Sequence, residues 1–113
     1  NKHQSAADAI VEALFPKNMF QEVIGDRRGL PRKPDPQKVL HIARRMGVSP
    51  ASTAYFGDTA VDMDTAHNAG ALAVGVLWGF RPPQELTAHG AQILLSHPRE
   101  LFQKLTFCAE DIV

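Results

Sequence analysis

Cysteine is almost missing from this chain: Cys108 is the single one in 113 residues. That excludes an intrachain disulfide and a cysteine-built zinc cluster, makes a cytosolic compartment the simplest fit, and leaves Cys108 as a packing or tail residue. An excess of charge of either sign is missing too. Lys plus Arg and Asp plus Glu stand at 12 each, so the formal net charge is zero. Such a balance leaves no electrostatic footprint for nucleic acid or for an anionic membrane. No apolar run approaches the ~20 residues of a spanning helix. The opening Asn1-Lys2-His3-Gln4 has no apolar signal-peptide core behind it. Repeats, low-complexity runs and long linkers are absent, and His3, His41, His67, His89 and His97 lie scattered without ligand spacing, as surface or capping residues do. What remains reads as one small soluble globular domain over residues 1–113, with 44% hydrophobic and 21% charged residues.

Helix and strand patterns alternate along it. Ala7, Ile10, Val11 and Leu14 recur at helical spacing, with Ser5 as N-cap and Asp8 in the first turn, which predicts an amphipathic helix with one buried face. Met19 to Ile24 reads as a short strand. A basic loop follows, carrying Arg27, Arg28, Arg32 and Lys33, and Lys33-Pro34-Asp35-Pro36 starts a second helix that Gly47 stops. Ser49-Pro50 opens a brief helical turn before a strand at Thr53–Phe56. A helix closed by Gly70, an apolar strand at Ala71–Val76, a loop at Trp78–Pro83 and a short helix at Gln84–His89 come next. A strand at Ala91–Leu95 and a last helix at Pro98–Leu105 complete the order. Trp78 and Phe80 are expected to pack at the edge of the sheet. The alternation predicts an α/β layer with a mostly parallel sheet, whose ligands sit outside the carboxyl ends of the strands.

The stretch Phe56-Gly57-Asp58-Thr59-Ala60-Val61-Asp62 stands at such a strand end. Gly57 permits a tight exit from the strand. Asp58 and Asp62, one before the helix and one in its first turn, can face the same mouth of the sheet. Hard carboxylate oxygens there suit Mg²⁺ and a phosphate ester. Thr59 supports the turn through its hydroxyl. The same residues also suit a purely structural role, with Asp58 as a cap, Asp62 favouring the helix dipole and Lys33 as one more solvated loop cation.

Three stretches together resemble the haloacid dehalogenase superfamily of phosphatases, and within it the phosphoglycolate-phosphatase-like group. They are Lys33-Pro34-Asp35-Pro36, then Tyr55 to Asp62 with its Gly-Asp-x-x-x-Asp, then Ala69-Gly70-Ala71 leading to Val76-Leu77-Trp78-Gly79-Phe80-Arg81. The resemblance runs from about residue 1 to about residue 105. It implies a three-layer Rossmann-like, mostly parallel α/β sheet. It implies Mg²⁺ as cofactor, with Asp58 as metal ligand and Asp62 helping to hold the ion or orient its ligands. Lys33 becomes a catalytic residue that holds both the phosphate and the attacking carboxylate. The implied reaction hydrolyses a small phosphorylated, phosphoglycolate-like metabolite through an aspartyl-phosphate.

The family's Asp-x-Asp nucleophile strand, its cap domain and its Ser/Thr strand end have no counterpart here. Asp62-Met63-Asp64 lies within a predicted helix, so it is no substitute. The chain thus reads as the second half of such a core, with the cap domain absent and the nucleophile outside it. In the family fold the nucleophile strand adjoins the strand ending at Asp58. Without it that strand keeps an unpaired edge, so the expected partner is the missing N-terminal half or a swapped second chain. A second reading is a non-catalytic α/β module that binds Mg²⁺ or phosphate, or pairs with a partner chain. A receiver-like domain fits poorly, because Asp8 and Glu12 are the only acidic residues near the start.

Overall fold

The computed structural model describes residues 1–107, and Cys108 lies outside them. Three parallel strands form the sheet in the order β1 (Ala54–Gly57), β2 (Leu72–Val76), β3 (Ile93–Leu95). Tyr55 stands opposite Ala73 and Gly57 opposite Gly75, while Val76 stands opposite Leu95. Parallel neighbours need crossovers, and two helices supply them. These are α3 (Ala60–Ala69) between β1 and β2, and α4 (Pro83–Ala88) between β2 and β3. Before the sheet come α1 (Gln4–Leu14) and α2 (Gln37–Met46), and after it a 3₁₀ turn at Pro98–Glu100 runs into α5 (Leu101–Lys104). Among the described residues no helix is long and apolar enough to cross a membrane.

The core follows from the small side chains of α3. Asp62, Thr65, Ala66 and Ala69 recur at helical spacing on its buried face, with Met63 beside them, so the helix lies close on the sheet. Met63, Ala66, Ala73 and Leu86 pack into one fully buried cluster, which joins α3 and α4 to β2. Val39, Ala69 and Ala71 form a second, which brings α2 in, and Tyr55 of β1 packs against both. Gly47 and Gly70 end α2 and α3 in the left-handed conformation, at φ 69° and 74°, as the sequence requires.

Several expectations fail, each for a local reason. Met19–Ile24 is not a strand. Its residues enter no ladder, and the isolated bridge nearby joins His3 to Asp26, two positions beyond the segment. The Gln4 side chain takes over instead, donating to the Val23 carbonyl at 3.2 Å and accepting from Gly25 N at 2.8 Å. Helix α1 starts at Gln4 with His3, not Ser5, as its cap, and none of its residues is buried; Leu14 is 72% exposed. Val61, whose spacing with Ala66 and Ala69 predicts a place on the packed face of α3, turns outward, while Met63 and Thr65 occupy the interior. Phe80 does not pack at the sheet edge, for it is fully exposed, and Trp78 is half exposed. Among the described residues β1 is paired with β2 alone. A groove of about 650 Å³ opens beside it, lined by Val39, Ile42 and Met46 of α2 and by Ala54 and Tyr55.

Candidate phosphoryl-transfer site

The carboxyl end of β1 hands the chain to α3 through a two-residue turn, Asp58-Thr59. Thr59 caps the helix reciprocally with Asp62: its hydroxyl accepts from Asp62 N at 3.3 Å and donates to Asp62 Oδ2 at 3.0 Å. Asp62 Oδ2 also accepts from the backbone N–H groups of Asp58 (3.1 Å) and Thr59 (3.2 Å). The turn is therefore folded around one carboxylate. Thr59→Ala is expected to cost about 1 kcal/mol, with Thr59→Ser close to neutral, as chemical denaturation would read.

The second oxygen of that carboxylate receives Lys33. Lys33 Nζ stands 2.7 Å from Asp62 Oδ1, a pair in which Asp62 is 5% exposed. Lys33 arrives from the loop before α2, where Asn1 Oδ1 accepts from its backbone N–H at 3.1 Å and Asp35 Oδ1, one residue before the Pro36 cap, accepts from Gln37 N at 2.9 Å. Burial pushes the Asp62 carboxyl up, but Lys33 and Thr59 outweigh it and hold the group below the ordinary carboxylate range. Burial likewise pulls Lys33 down, and Asp62 together with Tyr55 more than restores it, so the ammonium sits above its usual value. Tyr55 is the third member of this group, its phenol pushed up by burial, with Lys33 opposing and Asp62 adding.

Asp58 is differently placed. Among the described residues its side-chain oxygens accept no hydrogen bond, and the carboxylate rests against Gly79 in the loop after β2. A β-carbon at Gly79 would overlap Asp58 Oδ2 and lie 2.7 Å from its Cβ. The two acidic residues are thus divided in their work. Asp62 has both oxygens committed to this chain's own donors, whereas Asp58 keeps its acceptor capacity at the strand end. A hard dication fits Asp58 on that ground. No group of three or more His, Cys, Asp or Glu side chains converges among the described residues, so the chain would supply part of a coordination shell.

A lysine clamped by a buried aspartate beside an unengaged carboxylate, at the carboxyl end of a parallel strand, is the arrangement the haloacid-dehalogenase pattern leads one to look for. The family model described as haloacid dehalogenase-like hydrolase matches residues 1–76. The chain belongs to the haloacid dehalogenase-like hydrolases. Phosphoglycolate phosphatase of Escherichia coli K12 is 31% identical over 105 residues, which is 93% of this chain and 39% of that protein. N-acetylmuramic acid 6-phosphate phosphatase of Pseudomonas aeruginosa is 34% identical over 74 residues, 65% of this chain and 33% of that protein. The solved structure of a proposed phosphoglycolate phosphatase from Lactobacillus delbrueckii superposes with a TM-score of 0.82 at 33% identity, covering 88% of this chain and 41% of the other. The chain therefore spans well under half the length of the haloacid dehalogenase-like relatives it matches.

Sequence reasoning missed Glu85, whose carboxylate reaches back to the start of α3. Its Oε2 accepts from Ala60 N at 2.9 Å across 25 positions. Nothing in local spacing marks such a long-range cap. Four of the five histidines take the surface and capping roles expected of them: His3 and His97 cap helical turns, His89 pairs with Asp64 at 3.0 Å and His67 with the Gly90 carbonyl at 2.7 Å, while His41 is half-buried within α2.

Proposed function

We propose that the chain is the lysine- and metal-bearing C-terminal part of the core of an Mg²⁺-dependent phosphatase. It would hydrolyse a small phosphorylated metabolite, phosphoglycolate-like in size, through an aspartyl-phosphate whose aspartate lies outside these 113 residues. The observation that carries this is the 2.7 Å clamp of Lys33 by Asp62 beside Asp58. Lys33, held charged, would pair with a phosphate oxygen and with the attacking carboxylate, reducing the repulsion between two anions. Asp62 fixes that ammonium and the Asp58 turn. Asp58 would hold Mg²⁺, which when bound supplies neutralisation of charge between the phosphate oxygens and nearby carboxylates. The relatives' names support phosphate monoesters as the substrate class, and the lone cysteine supports a cytosolic setting.

The nucleophile would arrive on a strand that adds to the open side of β1. An unpaired strand edge is a template for a further strand, and among the described residues β1 pairs with β2 alone. The missing N-terminal half of a parent protein would supply it, or a swapped second chain. The metal assignment is tested by calorimetric titration of Mg²⁺ into the chain. Asp58→Asn is expected to weaken binding at least about tenfold. Equal affinity in the two proteins would remove Asp58 from the metal site and favour a phosphate-binding or pairing module.

A further inference from the structure

We propose that Glu85 is a positioning residue for Asp58, a role that rests on reading Asp58 as the metal ligand. The first turn of a helix leaves backbone N–H groups with no partner inside the helix. In α3 the Asp62 N–H is met from within the turn by Thr59, but the Ala60 N–H is met from outside, by Glu85 Oε2. Glu85 is only 27% exposed, and its other oxygen, Oε1, faces Arg81 Nη1 at 3.7 Å. Arg81 belongs to the loop after β2, and two residues earlier in the same loop Gly79 supports the Asp58 carboxylate.

The contacts close a ring: Asp58 against Gly79, then along the loop to Arg81 and Glu85, across to Ala60, and back through Thr59. The turn after β1 is thereby fastened at its Asp58 end to the loop after β2 and at its Ala60 end to α4. Without Glu85, Gly79 alone would hold Asp58 from that side, and only by van der Waals contact. A metal ligand works within a few tenths of an ångström of its proper place, so the second attachment controls how much of Asp58's affinity is realised. A carboxylate is also the favoured partner at the positive end of the α3 dipole. Glu85 itself touches neither substrate nor ion in this scheme.

Two variants separate the possibilities. Glu85→Gln keeps an acceptor for Ala60 N, and Glu85→Ala removes it. In Glu85→Ala, amide hydrogen exchange at Ala60 should quicken about fivefold, and the Asp58, Thr59 and Gly79 amide resonances should shift. Mg²⁺ affinity, measured where every protein is fully folded, should fall about tenfold. Glu85→Gln should restore both readouts to within about twofold of wild type. Unchanged exchange and resonances in Glu85→Ala would show that the brace does not exist, whatever Mg²⁺ does. Altered exchange with wild-type Mg²⁺ affinity would overturn the positioning role and leave Asp58 as ligand. If the wild-type chain fails to bind Mg²⁺ while the resonances still respond, the reading of Asp58 fails and the positioning role falls with it.

Discussion

Lys33→Met is expected to destabilise the fold by about 2–4 kcal/mol at neutral pH and to invert its response to acid. The substitution nearly keeps the side chain's length and apolar stem while removing its charge. Asp62 is then left 5% exposed with no cation beside it. Unpairing a fully buried ion costs about 3–5 kcal/mol, and the figure here is lower because 24% of the Lys33 side chain meets solvent. In the wild type Asp62 lies below the ordinary carboxylate range, so its contribution is full above the unfolded value of about 3.9 and fades as pH falls through the lower folded value. Lys33 lies above its ordinary value, so its contribution is full below about 10.4 and fades as pH rises through the higher folded value. Stability should therefore be level, as far as this pair is concerned, from about pH 4 to about pH 10. In Lys33→Met burial dominates and pushes Asp62 up, so the variant should gain stability as pH falls from 7 towards 5. Urea unfolding at several pH values measures both effects. A variant whose stability stays level in that range, as the wild type's does, would show that the pair does not govern Asp62.

Gly57→Ala should be as damaging, at about 3 kcal/mol or more, for a different reason. A β-carbon at Gly57 would overlap Cβ and Cγ of Asp62 and lie 2.7 Å from Oδ2. Those atoms cannot swing aside as the tip of a flexible chain could. Cβ is fixed to α3, and the carboxylate is fixed by Lys33, Thr59 and two backbone N–H groups. Accommodating one methyl group means moving the first turn of α3 away from β1, against a core in which Met63 and Ala66 are wholly buried. The variant should show a lowered denaturation midpoint and a loosened Lys33–Asp62 pair together. A stable Gly57→Ala protein would mean that the strand-to-helix turn is softer than described. The sequence alone suggested a glycine for a sharp exit, yet the need is for close approach of a side chain.

How much was legible in advance depended on how local each cause is. The ends of α2 and α3 were readable because glycine at a left-handed stop is chosen by its immediate neighbours. The Asp58–Asp62 turn was readable in part: Thr59 supports it through its hydroxyl as expected, but Thr59 and not Asp58 is the cap, closed reciprocally by Asp62 three positions on. Lys33 was tied to it through the resemblance to a known family; spacing within the chain gave no such link. The strand expected at Met19–Ile24 failed because a strand exists only with a partner, and alternation cannot say whether one is present. The exposure of Leu14 and Phe80 belongs to the same class, since an amphipathic pattern names a face without naming what covers it. Glu85 was invisible because its partner, Ala60, is a backbone group 25 positions away.

Phosphate release from a generic aryl phosphate, with and without Mg²⁺, addresses the central claim most directly. The isolated 113-residue chain should show no turnover, and Mg²⁺-dependent release should appear once the preceding segment of the parent gene is restored. Asp58→Asn should abolish that restored activity. Turnover by the chain alone that Asp58→Asn removes would place the nucleophile within these residues and contradict the account.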